Sequence, residues 1–361
     1  MRLPMTNDEV DLETVKKMVD EFMSRGFTYF DTAWMYCNGK SETAIKECLV
    51  DRYPRDSFTL TDKMPSFEIK TLEDRDRVFN KQLEKTGLTY FDYYWLHAVS
   101  KNNIKTFDDY DCWNYISKQK QKGLIKHIGF SYHDSAEFLD ELLDKHPEIE
   151  FVQLQINYLD WQSKDVQSKA CYEVCVKHNK KVIIMEPVKG GALAKLPSEA
   201  EKMFKGYEPN LSIASWAIRF AASLDNVYMV LSGMTTLDQL RDNLSYMDDF
   251  KPLNTIEFEM CLKAAEIVLK NTFVPCTGCE YCMSACPINM PIPKLFSLYN
   301  DDCQKAISSN EDKQIEAYNS IKNNGPTIDE CLDCGACENI CPQHIKIRNH
   351  LKDVKIYFEG E

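Results

Sequence analysis

The sequence predicts an α/β chain: a (β/α)8 TIM barrel with its first strand cut short, followed by a small, mainly helical, cysteine-rich domain. Three observations carry this. Over the first ~250 residues, short apolar runs alternate with amphipathic stretches of helical period. Polar residues of catalytic type close several of the apolar runs, where barrel enzymes place their chemistry. Beyond residue 270 the pattern gives way to two copies of one cysteine motif.

A helical stretch, Asp11–Arg25, comes first and stops before Gly26, a residue suited to a left-handed helix end. Strand-like Thr28–Asp31 leads to helical Ser41–Val50. Ser57–Lys63 leads to Thr71–Thr86, which ends at Gly87, and Tyr90–His97 leads to Phe107–Lys122, which ends at Gly123. The next pairs are Lys126–Ser131 with Ser135–Lys145, Phe151–Asn157 with Ser163–His178, Lys181–Pro187 with Leu211–Ser223, and Val227–Ser232 with Thr236–Met247. Seven strand–helix steps in a row suit a barrel. A doubly wound open sheet would carry a Gly-rich dinucleotide turn after an early strand, and none is present. The acidic run Asp108-Asp109-Tyr110-Asp111 reads as a helix start, where carboxylates suit the dipole. The expected division is residues 1–252 for the barrel, 253–270 for a connector holding helix Glu257–Lys270, and 271–361 for the cysteine-rich domain. That last domain has helix-like Pro293–Tyr299 and Cys303–Ile321 between its motifs.

Composition narrows the function classes. The 361 residues are 44% apolar and 11% aromatic, ample for packed cores. No run reaches the roughly 20 apolar residues that span a bilayer. Met1–Met5 has no signal-peptide core. A net charge of −13 opposes nucleic-acid binding and suits either solubility or a basic redox partner. Seven cysteines, at 37, 48, 112, 171, 175, 261 and 303, lie outside the motifs and point to a reducing cytoplasm.

The other eight are Cys276-x2-Cys279-x2-Cys282-x3-Cys286-Pro287 and Cys331-x2-Cys334-x2-Cys337-x3-Cys341-Pro342. Three thiolates at this spacing wrap one corner of a 4Fe–4S cube, and the fourth cysteine, before proline, ligates the other cube. One cluster is therefore expected on Cys276, Cys279, Cys282 and Cys341, and the other on Cys331, Cys334, Cys337 and Cys286. Zinc knuckles come as paired C-x2-C motifs, and disulfide frameworks belong to small secreted domains, so both fit less well.

Asp31, Lys63 and His97 each end a strand, and Tyr36 follows the first of them. Taken singly, these are an ion pair, a satisfied histidine and a packed tyrosine. Together, Phe30-Asp31-Thr32-Ala33-x-x-Tyr36, Thr61-Asp62-Lys63 and Tyr94-Trp95-Leu96-His97 resemble the catalytic tetrad of the aldo-keto reductase family. The likeness continues in Ile128–Ser131, Val152-Gln153, Glu186-Pro187-x-x-Gly190-Gly191 and Ser232-Gly233-Met234 with Gln239-Leu240-x-x-Asn243. The whole chain resembles the subgroup of that family with a C-terminal two-cluster ferredoxin-type domain.

Reducing a carbonyl takes a hydride on carbon and a proton on oxygen. A phenol with a pKa near 10 is a weak acid at neutral pH, and an adjacent ammonium strengthens it. The resemblance implies Tyr36 as proton donor, Lys63 as its tuner, Asp31 as the lysine's orienter and His97 as a holder of the carbonyl oxygen. It places Ser131 and Gln153 at the nicotinamide amide, Pro187, Val188 and Gly190 along the pyrophosphate, and Gly233, Gln239 and Asn243 on the adenosine side. Met185 stands where many members carry an aromatic. Basic residues that NADP-selective members often use are replaced here by Gly233, Met234 and Gln239, with Lys189 as a substitute source of charge. NADP(H) and NAD(H) both stay open. Members usually begin with a hairpin and a strand ending G-x-G-x-M-R-L-P. Only Met1–Pro4 of that is present, so one stave is expected to be missing, and a start at an internal methionine is the simplest account.

The substrate is expected to be a small carbonyl or alcohol. Hydride transfer moves two electrons and each cluster moves one, so three arrangements are open. The clusters are structural, or they feed the barrel with or without a flavin, or the barrel is idle and the protein carries electrons to a ferredoxin-like partner. Cys37 and His133 are candidates for the site mouth, with a buried small residue and a helix-entry role as the respective alternatives. His344 and His350 flank the second motif as surface residues.

Overall fold

The structure, a computed structural model, describes residues 3–309 and 314–360. It divides into two compact units. One comprises the residues up to Val188 with Ala214–Phe258, and the other Lys189–Ile213 with the residues from Glu259 onward. The sequence reading kept 189–213 with the barrel.

In the first unit, β1 (Met5–Thr6) and β2 (Glu9–Val10) pair as an antiparallel hairpin that the sequence did not announce. Its two turn residues, Asn7 and Asp8, both have positive φ, the geometry that suits a two-residue hairpin. Seven parallel strands follow: β3 (Tyr29–Asp31), β4 (Thr59–Met64), β5 (Phe91–Val99), β6 (Ile125–Tyr132), β7 (Phe151–Gln155), β8 (Lys181–Met185) and β9 (Val227–Val230). They neighbour one another in chain order, the order of a barrel wall. Among the described residues no ladder joins β3 to β9.

The helices are α1 (Leu12–Ser24), α2 (Ser41–Ile45), α3 (Glu73–Thr86), α4 (Ile104–Asp109), α5 (Cys112–Gln121), α6 (Ala136–Lys145), α7 (Ser168–Lys177), α8 (Ser198–Tyr207), α9 (Ile213–Ala222) and α10 (Leu237–Met247). They continue as α11 (Thr255–Lys270), α12 (Tyr281–Ala285), α13 (Ile292–Ser309), α14 (Ile315–Asn323), α15 (Ala336–Asn339) and α16 (Ile347–Glu359). Helix α2 runs straight on into a π-helical turn, Lys46–Val50. Among the described residues no helix is long and apolar enough to cross a membrane.

Two sequence expectations are corrected. The acidic run does not start a helix as a block: Asp108 and Asp109 close α4, and only Asp111 precedes α5. Arg75 Nη1 takes the carbonyls of Tyr110 and Asp111 at 2.7 and 3.1 Å, which satisfies the break. In the second unit the expected gap after Tyr299 is helical. Asn300 directs its amide group to the backbone of Val274, at 2.9 and 2.7 Å, and leaves α13 uninterrupted. Helices α8 and α16 were not foreseen.

The barrel interior is filled by Tyr29, Tyr93, Trp95, Phe151 and Ile183. Tyr93 and His127 stack at 5.0 Å, and the Tyr93 and Tyr228 hydroxyls meet at 3.1 Å. The core of the second unit gathers Phe296, Tyr318, Ile347, Leu351, Val354 and Phe358 from α13, α14 and α16. Of the seven cysteines outside the motifs, six are buried, and Cys37 is half-buried. Burial pushes the Cys112 and Cys171 thiols up to about 12, so they behave as small apolar side chains.

Gly129 lets the Trp95 ring lie inside the barrel. A Cβ there would stand 2.4 Å from the Phe151 carbonyl oxygen and 2.5 Å from the ring. Gly129→Ala is expected to cost about 1–3 kcal/mol through overpacking against a backbone atom that cannot move aside. A denaturant midpoint unchanged from wild type would contradict this.

Candidate active site and cluster loops

Asp31 is the last residue of β3, Lys63 is the penultimate residue of β4, and His97 lies near the end of β5. The register sets Asp31 beside Thr61 and Lys63 beside Trp95, so these ends lie on neighbouring strands. Lys63 is fully buried, and its ammonium donates to Asp31 Oδ1 at 2.5 Å, to the Thr32 carbonyl at 2.8 Å and to the Tyr36 hydroxyl at 3.3 Å. Tyr36 sits in a tight turn whose next two residues, Cys37 and Asn38, have positive φ. Its carbonyl accepts from Gly39 and Ser41 N–H groups, which fixes the turn. The His97 ring stands edge-on to Tyr36, with centroids 5.9 Å apart. Burial, then the charges of Lys63 and His133, hold the imidazole well below its usual pKa. His97 is therefore neutral, and His133 lies within electrostatic reach of it. The structure thus brings all four tetrad residues together.

The strand end behind His97 is pinned twice. Ala98 N–H donates to Ser131 Oγ at 2.7 Å, and the Ala98 carbonyl accepts from Asn103 Nδ2 at 2.9 Å. Ser131 and Gln153 are register partners on β6 and β7, both buried. Met185 ends β8, and Pro187 and Val188 close the first unit, whereas Gly190 lies in the second. Lys189 is buried in that second unit and donates to Gln343 Oε1 at 2.7 Å, so it is not a surface charge waiting for a 2′-phosphate. Gly233 lies in the loop after β9. Gln239 Oε1 accepts from Thr235 N–H at 2.8 Å. Asn243 donates to Ser232 Oγ at 2.8 Å and accepts from the Tyr246 hydroxyl at 2.6 Å. Both side chains thus shape the loop itself. A network that the sequence reading missed locks the neighbouring strand ends. Asp160 Oδ2 accepts from Gln155 and Asn157, each at 2.8 Å, and Asn157 also reaches the Glu186 carbonyl at 3.1 Å. The clustered amides and acid in the eight residues after Gln153 are the signal that could have revealed it.

The two cysteine motifs fold alike. Each ends in a short helix, α12 or α15. Positive φ recurs at Gly278 and Asp333, at Glu280 and Gly335, and at Asn289 and His344, each pair 55 residues apart. Such turns point backbone N–H groups inward. Gly278 N–H lies 3.5 Å from Cys276 Sγ, and the amides of Ile345, Gln343 and His344 act on the Cys341 thiol. Burial, then the nearby Cys279, Cys276 and Cys341, pushes the Cys282 thiol up to about 12. Cys286 lines one hollow with Cys331, Cys334 and Cys337, walled by Ile288, Met290, Ile292, Leu332, Leu351 and Arg348. The fourth cysteine of the first motif thus faces the three of the second. Among the described residues no three donors converge on a single-ion position. Four thiols spread around an apolar hollow suit a multi-iron cube, and the donor set fits it. His344 is exposed and His350 pairs with Asp353, both as surface groups.

Residues 1–266 match the Aldo/keto reductase family, and residues 275–345 match the 4Fe-4S dicluster domain. The chain is similar to the uncharacterized oxidoreductase YqkF of Bacillus subtilis (strain 168). The two are 22% identical over 259 residues, which cover 63% of this chain and 80% of that protein. Among solved structures it is similar to the holo form of the aldo-keto reductase AKR11C1 from Bacillus halodurans. The TM-score is 0.58 and the identity 20%, over 73% of this chain and 91% of that one. It is also similar to an aldo-keto reductase from Klebsiella pneumoniae in complex with NADPH. There the TM-score is 0.57 and the identity 16%, over 70% and 84% of the two chains. At these identities the structural likeness carries the fold.

Behind Lys63 lies a buried acid pair. Asp62 and Glu42 are both fully buried, and the Glu42 charge acts on Asp62. Asp62 Oδ1 also accepts from the Lys63 N–H and from Gln82 Nε2, each at 2.8 Å, and Lys85 donates to Glu42 Oε2 at 2.7 Å. Burial, and then the Glu42 charge, holds the Asp62 carboxyl well above the usual carboxylate range. The folded chain therefore keeps a proton that the unfolded chain releases above about pH 4. Stability from this pair is full below that pH and falls as pH rises toward the folded pKa. Asp62→Asn should flatten this slope and raise the melting temperature at neutral pH relative to wild type. Parallel pH dependences of the two melting temperatures from pH 4 to 8 would count against the raised Asp62 carboxyl.

Proposed function

The chain belongs to the aldo/keto reductase family and carries a 4Fe-4S dicluster domain, and from that premise we propose that it reduces a small aldehyde or ketone, or runs the reverse oxidation, with Tyr36 as proton donor. The observation that carries this is the single ammonium of Lys63, bonded at once to Asp31 and to the Tyr36 hydroxyl. When bound, reduced nicotinamide supplies the hydride. NADPH is favoured because a structurally similar protein holds it. Ser131 and Gln153 would hold the nicotinamide amide, with Pro187, Val188 and Gly190 along the pyrophosphate and Gly233, Gln239 and Asn243 toward the adenosine.

The chain's own residues then have defined tasks. Neutral His97 donates an N–H to the carbonyl oxygen without adding a second cation beside Lys63. Tyr36 passes its proton to that oxygen. Lys63 stabilises the phenolate left behind, and Asp31 keeps the ammonium charged and aimed. Cys276, Cys279, Cys282 and Cys341 would hold one 4Fe–4S cluster, and Cys331, Cys334, Cys337 and Cys286 the other. A hydride moves as a pair and a cluster accepts one electron, so carbonyl reduction runs independently of the clusters. A specific feature also supports electron exchange with an external carrier. Cys334 is exposed directly after Leu332, which is 64% exposed, and exposed Asp333, a surface that would suit a ferredoxin-like partner with a basic rim.

Tyr36→Phe should lower kcat for carbonyl reduction by about 10²–10⁴-fold, the usual worth of a positioned acid, while iron content and the melting curve stay at wild-type values. Near-native turnover would sink the assignment.

Anaerobically prepared protein should contain about eight iron and eight sulfide per chain. Cys286→Ser should perturb the spectrum of the second-motif cluster alone. Loss of the first-motif cluster instead would reverse the ligand sets. NADPH should leave oxidised clusters unbleached during turnover, and rapid bleaching would replace the uncoupled account with an electron-transfer one.

A further inference from the structure

Strand β8 leads through Pro187 and Val188 into three consecutive left-handed residues: Lys189 at φ +48°, Gly190 at +65° and Gly191 at +105°. Glycine adopts this region freely, but lysine does so only where its surroundings dictate it. Two contacts inside the second unit dictate it here. Gly190 lies so close to Thr277 that a Cβ would stand 2.2 Å from the Thr277 carbonyl oxygen and 2.9 Å from its Cβ. The Lys189 ammonium donates to Gln343 Oε1 at 2.7 Å, and both residues are buried.

Thr277 follows Cys276, and Gln343 stands two residues after Cys341. The turn is therefore anchored to the two segments that bring the first-motif ligands together. Lys189 thus stands within electrostatic reach of Cys276 and Cys341. The second set has a cation of its own, Arg348, which lines the hollow with Cys286, Cys331, Cys334 and Cys337.

We propose that Lys189 sets the reduction potential of the cluster held by Cys276, Cys279, Cys282 and Cys341, raising it above the value that cluster would have without the lysine. This rests on the ligand assignment proposed above. One-electron reduction of a bound cube by an external carrier would add a full negative charge and move no proton. A buried ammonium near its ligands would stabilise that charge more than it stabilises the oxidised form. Gln343 positions the ammonium. Lys189 ligates nothing and acts through its field.

The test uses full-length, anaerobically reconstituted wild type, Lys189→Gln and Lys189→Arg, titrated with dithionite against mediators and followed by electron paramagnetic resonance. Iron and sulfide are counted first. A wild type with fewer than two cubes would overturn the ligand assignment, and the proposal with it, before any potential is read. With two cubes present, Cys286→Ser identifies the second cluster's signal. Wild type should show two one-electron steps. Lys189→Gln should shift the first-motif cluster's step to lower potential and leave the other in place, and Lys189→Arg should titrate like wild type. Three results overturn the proposal with the assignment intact. They are unchanged potentials in Lys189→Gln, equal shifts of both steps, and loss of the first cluster in Lys189→Gln, which would make the lysine structural.

Discussion

The fold of the first unit is organised around a charge that should not be buried. Lys63 has no exposure at all, and an ammonium removed from water costs several kcal/mol unless its donors are matched. It is matched by a carboxylate, a backbone carbonyl and a phenol, one from each of Asp31, Thr32 and Tyr36. Those three lie within six residues of one another, so the end of β3 and its following turn form a single receptor for one side chain of β4. The strand register and the tight turn at Tyr36 keep that side chain where it is. A phenol hydroxyl with a cation at its oxygen is the consequence of satisfying the lysine.

Asp31, Lys63 and His97 were legible as polar residues closing apolar runs at strand ends, and Tyr36 by its place in the turn after the first of them. His97 illustrates the limit. Its position could be read, but its neutrality comes from burial beside Lys63 and His133, which no local pattern encodes. The layer behind Lys63 was not legible either. Glu42 reads as an ordinary helix-start carboxylate and Asp62 as strand decoration, yet both are fully buried. Only tertiary packing reveals two buried acids acting on each other behind the lysine. The same holds for α13. Asn300 and the acids after it look like a helix break until the tertiary partner of Asn300, the Val274 backbone, is known.

The cysteine motifs were the clearest signal in the sequence, and in the fold Cys286 lines one hollow with Cys331, Cys334 and Cys337. Spacing said nothing of the backbone. The positive-φ residues recur at matched positions in the two copies, and only some are glycine. Glu280, Asn289, Asp333 and His344 accept a conformation that side chains disfavour. What the two copies share, then, is a set of inward-pointing N–H groups around thiols. That demand on the backbone overrides local propensity at four non-glycine positions.

The stretch from Glu186 to Gly191 shows why a family motif carries over residue identity more safely than residue role. By resemblance, Gly190 and Lys189 belong to a dinucleotide site: one as a gap for phosphate, the other as spare charge. In the structure each is already accounted for within the second unit, Gly190 by its approach to Thr277 and Lys189 by its bond to Gln343. A glycine can serve both demands, because the absence of a side chain is compatible with any neighbour. A buried lysine cannot, since its ammonium occupies one place. The same six residues are therefore constrained at their start by the strand ends of the first unit and at their finish by the segments that hold Cys276 and Cys341. A substitution at Lys189 or Gly190 acts first on the cluster loops, whatever a likeness to other reductases implies for that stretch.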